Sequence, residues 1–323
     1  MSGQSDKFSL SAAPVSTQKS PLDQQTLAQP ATKSIATGLL LATFGAIAFS
    51  GKAIIVKLAY RHGVDAVTLI MLRMLFALPI FALMAWWASR GKAALTRKDW
   101  LGVCGLGFVG YYLSSFLDFA GLAYISASLE RLILYLNPTI VALLGLLLYK
   151  RQITGRKVFG MAISYSGVVL VFSQELSLQG AHTALGGLLV LTSAISYAVY
   201  LVYSGELVKR LGSIRLVGLA TTVACLCCLL QFVLLRPLGA ALVAPEVIWL
   251  SVLNATLCTA VPVLLVMMAI ERIGASLTAQ TGMVGPLSTI LMGTVFLGEP
   301  FTAWVAAGTA LVIAGIFVVT RSK

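Results

Sequence analysis

Ten apolar runs, each about 20 residues long and separated by short polar loops, limit this chain to structures that close their own backbone hydrogen bonds in hydrocarbon. They fall near 36–57, 66–88, 100–122, 125–148, 157–173, 185–204, 215–235, 247–270, 275–297 and 302–320. With 59% hydrophobic and only 11% charged residues in 323, a soluble domain would lack the charge its surface needs. The expected fold class is therefore an all-α integral membrane protein of about ten transmembrane helices.

The formal charge of +12 does not indicate nucleic acid, because the basic residues sit in short clusters between apolar runs. Lys33, Arg90, Lys92, Arg97, Lys98, Lys150, Arg151, Arg156, Lys157, Lys209, Arg210, Arg215, Arg272, Arg321 and Lys323 all fall on one side if the N-terminus is cytoplasmic. The other side keeps little more than Lys57, Arg61 and Arg236. The asymmetry predicts both termini inside the cell. Residues 1–34, rich in Ser, Gln, Pro and Ala, are expected to form a disordered cytoplasmic tail. Cys104, Cys225, Cys227, Cys228 and Cys258 lie within apolar runs, and His62 and His182 lie in loops, so neither a disulfide framework nor a metal site is expected, and no cofactor.

The chain also repeats itself. Without a gap, ISASLERLILYLNP from Ile125 to Pro138 overlies IGASLTAQTGMVGP from Ile273 to Pro286, and GLLLATFGAIAF from Gly38 overlies GLLVLTSAISYA from Gly187. This divides the chain into repeats at 35–174 and 184–321. Five spans per repeat is an odd number, so the second copy enters the membrane upside down. Inverted repeats are the architecture of secondary transporters, which alternate access around a site at the repeat interface.

The copies share shape and not charge: Thr278 and Ala279 stand where the first repeat has Glu130 and Arg131. Counting about 1.5 Å per residue from the span ends puts Lys52, Arg73, Asp118, Glu130 and Arg131 at one depth, roughly 7 to 10 Å below the outer boundary. Ionisable groups in hydrocarbon cost about 2.5 to 3.5 kcal/mol near the centre, so they face each other or water. They serve either as an ion-pair network pinning four helices or as a substrate and ion site. In the second case a guanidinium holds a carboxylate, while Glu130, or failing that Asp118, exchanges a proton. Helical spacing adds Tyr111, Ser114 and Asn137 on the first repeat and Tyr197 and Tyr200 on the second. Pro138 and Pro286, with Gly282 and Gly285, form candidate hinges, since each proline frees a carbonyl four residues back, at Leu134 and Gly282. Gly160 and Gly167, like Gly308 and Gly315, form small-residue grooves suited to close helix approach.

LRMLFALP in the second span, SASLERLILYLNP in the fourth and GPLSTILMGTVFLGEPFT before the tenth resemble the EamA-type drug/metabolite transporter superfamily. The resemblance implies a ten-span permease of a bacterial inner membrane, often an exporter of amino acids or other small metabolites, monomeric or homodimeric. It also implies a small residue, Glu and Arg closing the first repeat, where this chain has Tyr149, Lys150 and Arg151; only the second repeat keeps Gly298 and Glu299. The expected function is a secondary transporter of small organic ions, with a small-molecule substrate and protons as its partners in the lipid bilayer. The alternative is a passive facilitator or lipid-moving protein without ion coupling. An enzyme would need a nucleophile beside a base or a metal cluster, and ATP-driven transport a phosphate-binding loop; the sequence shows neither.

Overall fold

The computed structural model describes residues 21–149, 154–179, 181–282 and 284–321. Among these, eight helices are long and apolar enough to cross a membrane, and the shorter apolar helices Val284–Leu297 and Ala303–Val319 follow them. In chain order the first repeat comprises α1 (Pro21–Tyr60), α2 (Ala66–Ser89), α3 (Arg97–Leu106) and α4 (Ser114–Leu122) in one span, α5 (Ala127–Leu134) and α6 (Asn137–Tyr149) in the next, and α7 (Gly155–Gln179). The second comprises α8 (Ala181–Leu211), α9 (Ser213–Leu235), α10 (Pro245–Ala255) and α11 (Val261–Thr281), then α12 (Val284–Met292) and α13 (Ala303–Arg321). Helix α1 begins within the segment expected to be a disordered tail; residues 1–20 of that segment lie outside the described residues.

Packing between the repeats is reciprocal. Helix α1 lies on α11 and α12, and its counterpart α8 lies on α4 and α5; the pairs α2 with α9 and α7 with α13 join equivalent spans. The glycine grooves of the fifth and tenth spans mate with each other inside the chain: a Cβ at Gly160 would meet the Gly315 carbonyl at 2.8 Å, and one at Gly167 the Gly308 carbonyl at 2.6 Å. Only residues without a side chain let the backbones approach that closely.

Two devices bend the spans toward the centre. A π-helical turn, Gly107–Leu113, joins α3 to α4, and another, Thr256–Ala260, joins α10 to α11 at the matching place in the second repeat. Such turns insert an extra residue and re-aim the side chains after it. The other device is a helix break, at Tyr135 and Leu136 between α5 and α6 and near Gly282 between α11 and α12. The ninth span expected at 275–297 is thereby divided: its first turns, to Thr281, are helical in α11 and the helix restarts at Val284. Pro138 follows directly on the first of these breaks. It falls in the first turn of α6, where the missing N–H costs no helical bond, and does not kink a continuous helix.

Candidate functional site

Lys52, on the buried face of α1, is the centre of the charged cluster. Its Nζ lies 2.5 Å from Asp118 Oδ2 of α4 and 3.1 Å from Glu130 Oε1 of α5. The second contact is an ion pair by distance but lacks hydrogen-bond alignment, so both Glu130 oxygens remain without a hydrogen-bond donor on a residue that is 0% exposed. Asp118 Oδ1 likewise has no partner. Three helices of one repeat thus meet at a single ammonium.

The two guanidiniums sit elsewhere than the sequence suggested. Neither lies within ion-pair distance of a carboxylate among the described residues. Arg73 packs its guanidinium over the Phe119 ring at 5.1 Å and donates from Nε to Thr259 Oγ1 at 3.1 Å, leaving Nη1 unpartnered. Thr259 in turn donates to the Asn254 carbonyl, and the buried Asn254 amide has neither of its side-chain atoms paired. Arg131 donates from Nη2 to Ser50 Oγ at 3.0 Å and lies between the rings of Phe49 and Tyr135, each 5.2 Å away. The physical reason is geometric: Lys52 already occupies the space between the carboxylates, and the bulkier guanidiniums are held against aromatic faces and hydroxyl groups, Thr259 of the second repeat for Arg73 and Ser50 of the first for Arg131.

The two helix breaks touch each other. The hydroxyl of Tyr135, in the first break, donates to the Gly282 carbonyl of the second at 2.5 Å, and Ser50 Oγ donates to the Gly285 carbonyl at 2.9 Å. The Gly282 carbonyl, which also accepts from Gly285 N at 2.9 Å, thus takes a second donor from the other repeat. Gly285 is required here by close approach: an added Cβ would stand 2.8 Å from Arg131 Nη2 and 3.2 Å from Ser50 Oγ. We expect Gly285→Ala to push Arg131 off Ser50 and lower stability by about 1–3 kcal/mol, the usual cost of overfilling a packed site, read as a fall in Tm of the purified protein.

The remaining candidates divide into two groups. Tyr111, Tyr197 and Tyr200 form their own cluster, Tyr111 and Tyr200 joined hydroxyl to hydroxyl at 3.1 Å and Tyr197 stacked on Tyr200 at 5.5 Å. They pack with Val103, Leu106, Leu211 and Leu216 and are not part of the charged cluster. Ser114 bonds Ser193, whose hydroxyl also donates to the Ser114 carbonyl, so this pair ties α4 to α8. Asn137 begins α6 and its Oδ1 is buried without a partner.

Sequence reasoning passed over Ser50, Asn254, Thr259, Tyr135 and Glu175, and marked Glu299 only as part of a loop motif. The first three were legible only as isolated polar residues in apolar runs. Glu175 at the end of α7 accepts from Ser126 N at 3.1 Å and from Ser126 Oγ, and Glu299 accepts from Ala127 N at 2.7 Å, Ser128 N at 3.2 Å and Ser128 Oγ at 2.7 Å. Both carboxylates cap the positive end of α5, the helix that carries Glu130 and Arg131.

Known proteins share this architecture. A protein of Bacillus subtilis (strain 168) described as an uncharacterized transporter, YcbK, is 30% identical over 282 residues, covering 84% of this chain and 88% of that one. A transporter of Archaeoglobus fulgidus, also uncharacterized, is 26% identical over 291 residues, covering 89% of this chain and 98% of that one. A solved crystal structure of a protein aligns over 88% of this chain and 98% of its own with a TM-score of 0.61 at 17% identity, a likeness of fold alone. Residues 36–173 and 184–321 each match the EamA-like transporter family, and with two matched repeats spanning the membrane helices, the chain is a membrane transporter that belongs to that family.

Proposed function

We propose that the protein is a secondary transporter that exports small organic ions, amino acids among them, by alternating access with proton exchange at Glu130. The observation that carries this reading is the Lys52 junction: one ammonium shared by Asp118 and Glu130, with Arg73 and Arg131 on the flanks and several buried polar atoms unpartnered. Three cations against two carboxylates leave one positive charge over, which suits a solute carrying a carboxylate. An incoming ammonium or proton competes with Lys52 for Glu130, because the carboxylate has hydrogen-bonding capacity to spare. The contacts between the helix breaks give rocking motions a natural pivot, as inverted-repeat transporters require. The basic loops favour both termini in the cytoplasm of a cell whose inner membrane holds the protein.

The test uses proteoliposomes with an imposed pH gradient and single labelled L-amino acids. Accumulation above equilibrium is expected for at least one substrate, and Glu130→Gln, which keeps shape but cannot ionise, should reduce it about tenfold or more. Full gradient-driven accumulation by the Gln variant would exclude Glu130 as the coupling group. Equilibration without accumulation in the parent protein would make it a passive facilitator.

A further inference from the structure

We propose that Glu299 is the latch that closes one face of the transporter, holding the loop between α12 and α13 onto the N-terminus of α5. The inference rests on the alternating-access reading and adds the contact that must break when this face opens. The latch crosses between repeats: a carboxylate of the second grips the backbone of the helix in the first that carries Glu130 and Arg131. Ala127 N, Ser128 N and Ser128 Oγ all donate to it, which places a carboxylate against the first N–H groups and positive dipole of α5. Its loop is shaped to deliver it. Gly298 turns the chain with φ of 72°, a left-handed conformation that glycine adopts freely, and Glu299 N is tied back to the Gly293 carbonyl at 3.1 Å.

The latch also sits where a gate is needed. Glu299 lines a cavity of about 340 Å³ together with Lys57, Tyr60, Arg61, Ala123 and Leu297. Arg61, just after α1, donates to the Leu297 carbonyl at 2.7 Å and Tyr60 to the Phe119 carbonyl at 2.5 Å, so the end of α1 and its following turn close against α4 and the latch loop. Below this vestibule on α1 come Val56, fully buried, and then Lys52. Glu175 caps Ser126 from within the same repeat as α5 and stays with it, whereas Glu299 belongs to the other repeat. Only the second of these contacts crosses the line along which the repeats move apart. Gly298 and Glu299 overlie Lys150 and Arg151 of the first repeat, and an arginine cannot accept from a helix N-terminus, so the opposite face has no matching carboxylate at that position.

The test reads accessibility and needs no substrate. In purified full-length protein in detergent, a Val56→Cys variant is treated with a polar maleimide and modification at position 56 is followed by mass spectrometry. Adding Glu299→Ala should raise the rate about tenfold, and Ser128→Ala, which removes one of the three donors, should raise it less. A Val103→Cys variant, buried in the cluster with Leu211 and Leu216, serves as the control for general loosening. An increase at position 56 with none at position 103 supports the latch. An unchanged rate at position 56, or an equal rise at both positions, overturns it. Flux in proteoliposomes is read independently, so failure of the latch and failure of the transport reading give different results.

Discussion

Lys52→Met should be among the most destabilising substitutions this protein can receive short of truncation. Lys52 is 5% exposed, Asp118 3% and Glu130 0%, so removing the ammonium leaves two carboxylates with no other cation within ion-pair reach among the described residues. Breaking a buried ion pair from one side costs about 3–5 kcal/mol, because the surviving partner is left desolvated, and here two carboxylates are left. The measurement is Tm or denaturant resistance of the purified protein in detergent. The diagnostic is recovery: combining Lys52→Met with Asp118→Asn and Glu130→Gln removes all three charges and should regain most of the loss, as apolar or neutral replacements of whole ion networks do. The double variant Lys52→Met with Glu130→Gln should fall between, giving a coupling energy for Lys52 and Glu130 by a mutant cycle. A loss under about 1 kcal/mol for Lys52→Met would mean that the carboxylates draw on water, as surface pairs do, and the junction described above would not exist.

Gly308→Leu is the second large effect. Helices α7 and α13 cross with glycine against glycine, and a Cβ at Gly308 would stand 2.7 Å from the Gly167 carbonyl and collide with the Val171 side chain. Backbone cannot yield as a side-chain tip can, so the helices must separate and lose contact along the crossing. Overfilling a packed interior costs about 1–3 kcal/mol, and a whole isobutyl group at a backbone contact belongs at the upper end. No apolar driving force between lipid-facing helices compensates for the lost packing. Gly105→Leu makes the control, since Gly105 is an exposed glycine of α3 with nothing within 4 Å of its would-be Cβ. If both variants lowered Tm equally, the crossing would hold no special packing energy.

Much of the architecture was legible before any coordinates. Span length follows from bilayer thickness, and the shared ISASL and IGASL segments mark the two repeats, so the number of helices and the family could be read from the chain. The candidate charges were legible as well, because a residue such as Glu130 or Arg73 in an apolar run is costly enough to stand out. The grooves at Gly160, Gly167, Gly308 and Gly315 announced close packing, although not that they would pack on each other.

Partner choice was not legible. Depth counted along helices placed five charges in one layer, but depth says nothing of rotation about each helix axis, and a π-helical turn such as Gly107–Leu113 shifts every side chain that follows. Rotation is why Lys52 took both carboxylates while Arg73 went to Thr259 and Arg131 to Ser50. Contacts between repeats, such as Tyr135 on Gly282 or Glu299 on Ala127 and Ser128, join residues more than a hundred positions apart, and no local period encodes them. The sequence by itself determined that the protein is a doubled set of membrane helices with ionic groups in its interior, because hydrocarbon penalises every other arrangement of such runs. Which ionic group meets which was decided only when the two repeats closed on each other, because that depends on helix rotation and on backbone donors and acceptors that every residue carries alike.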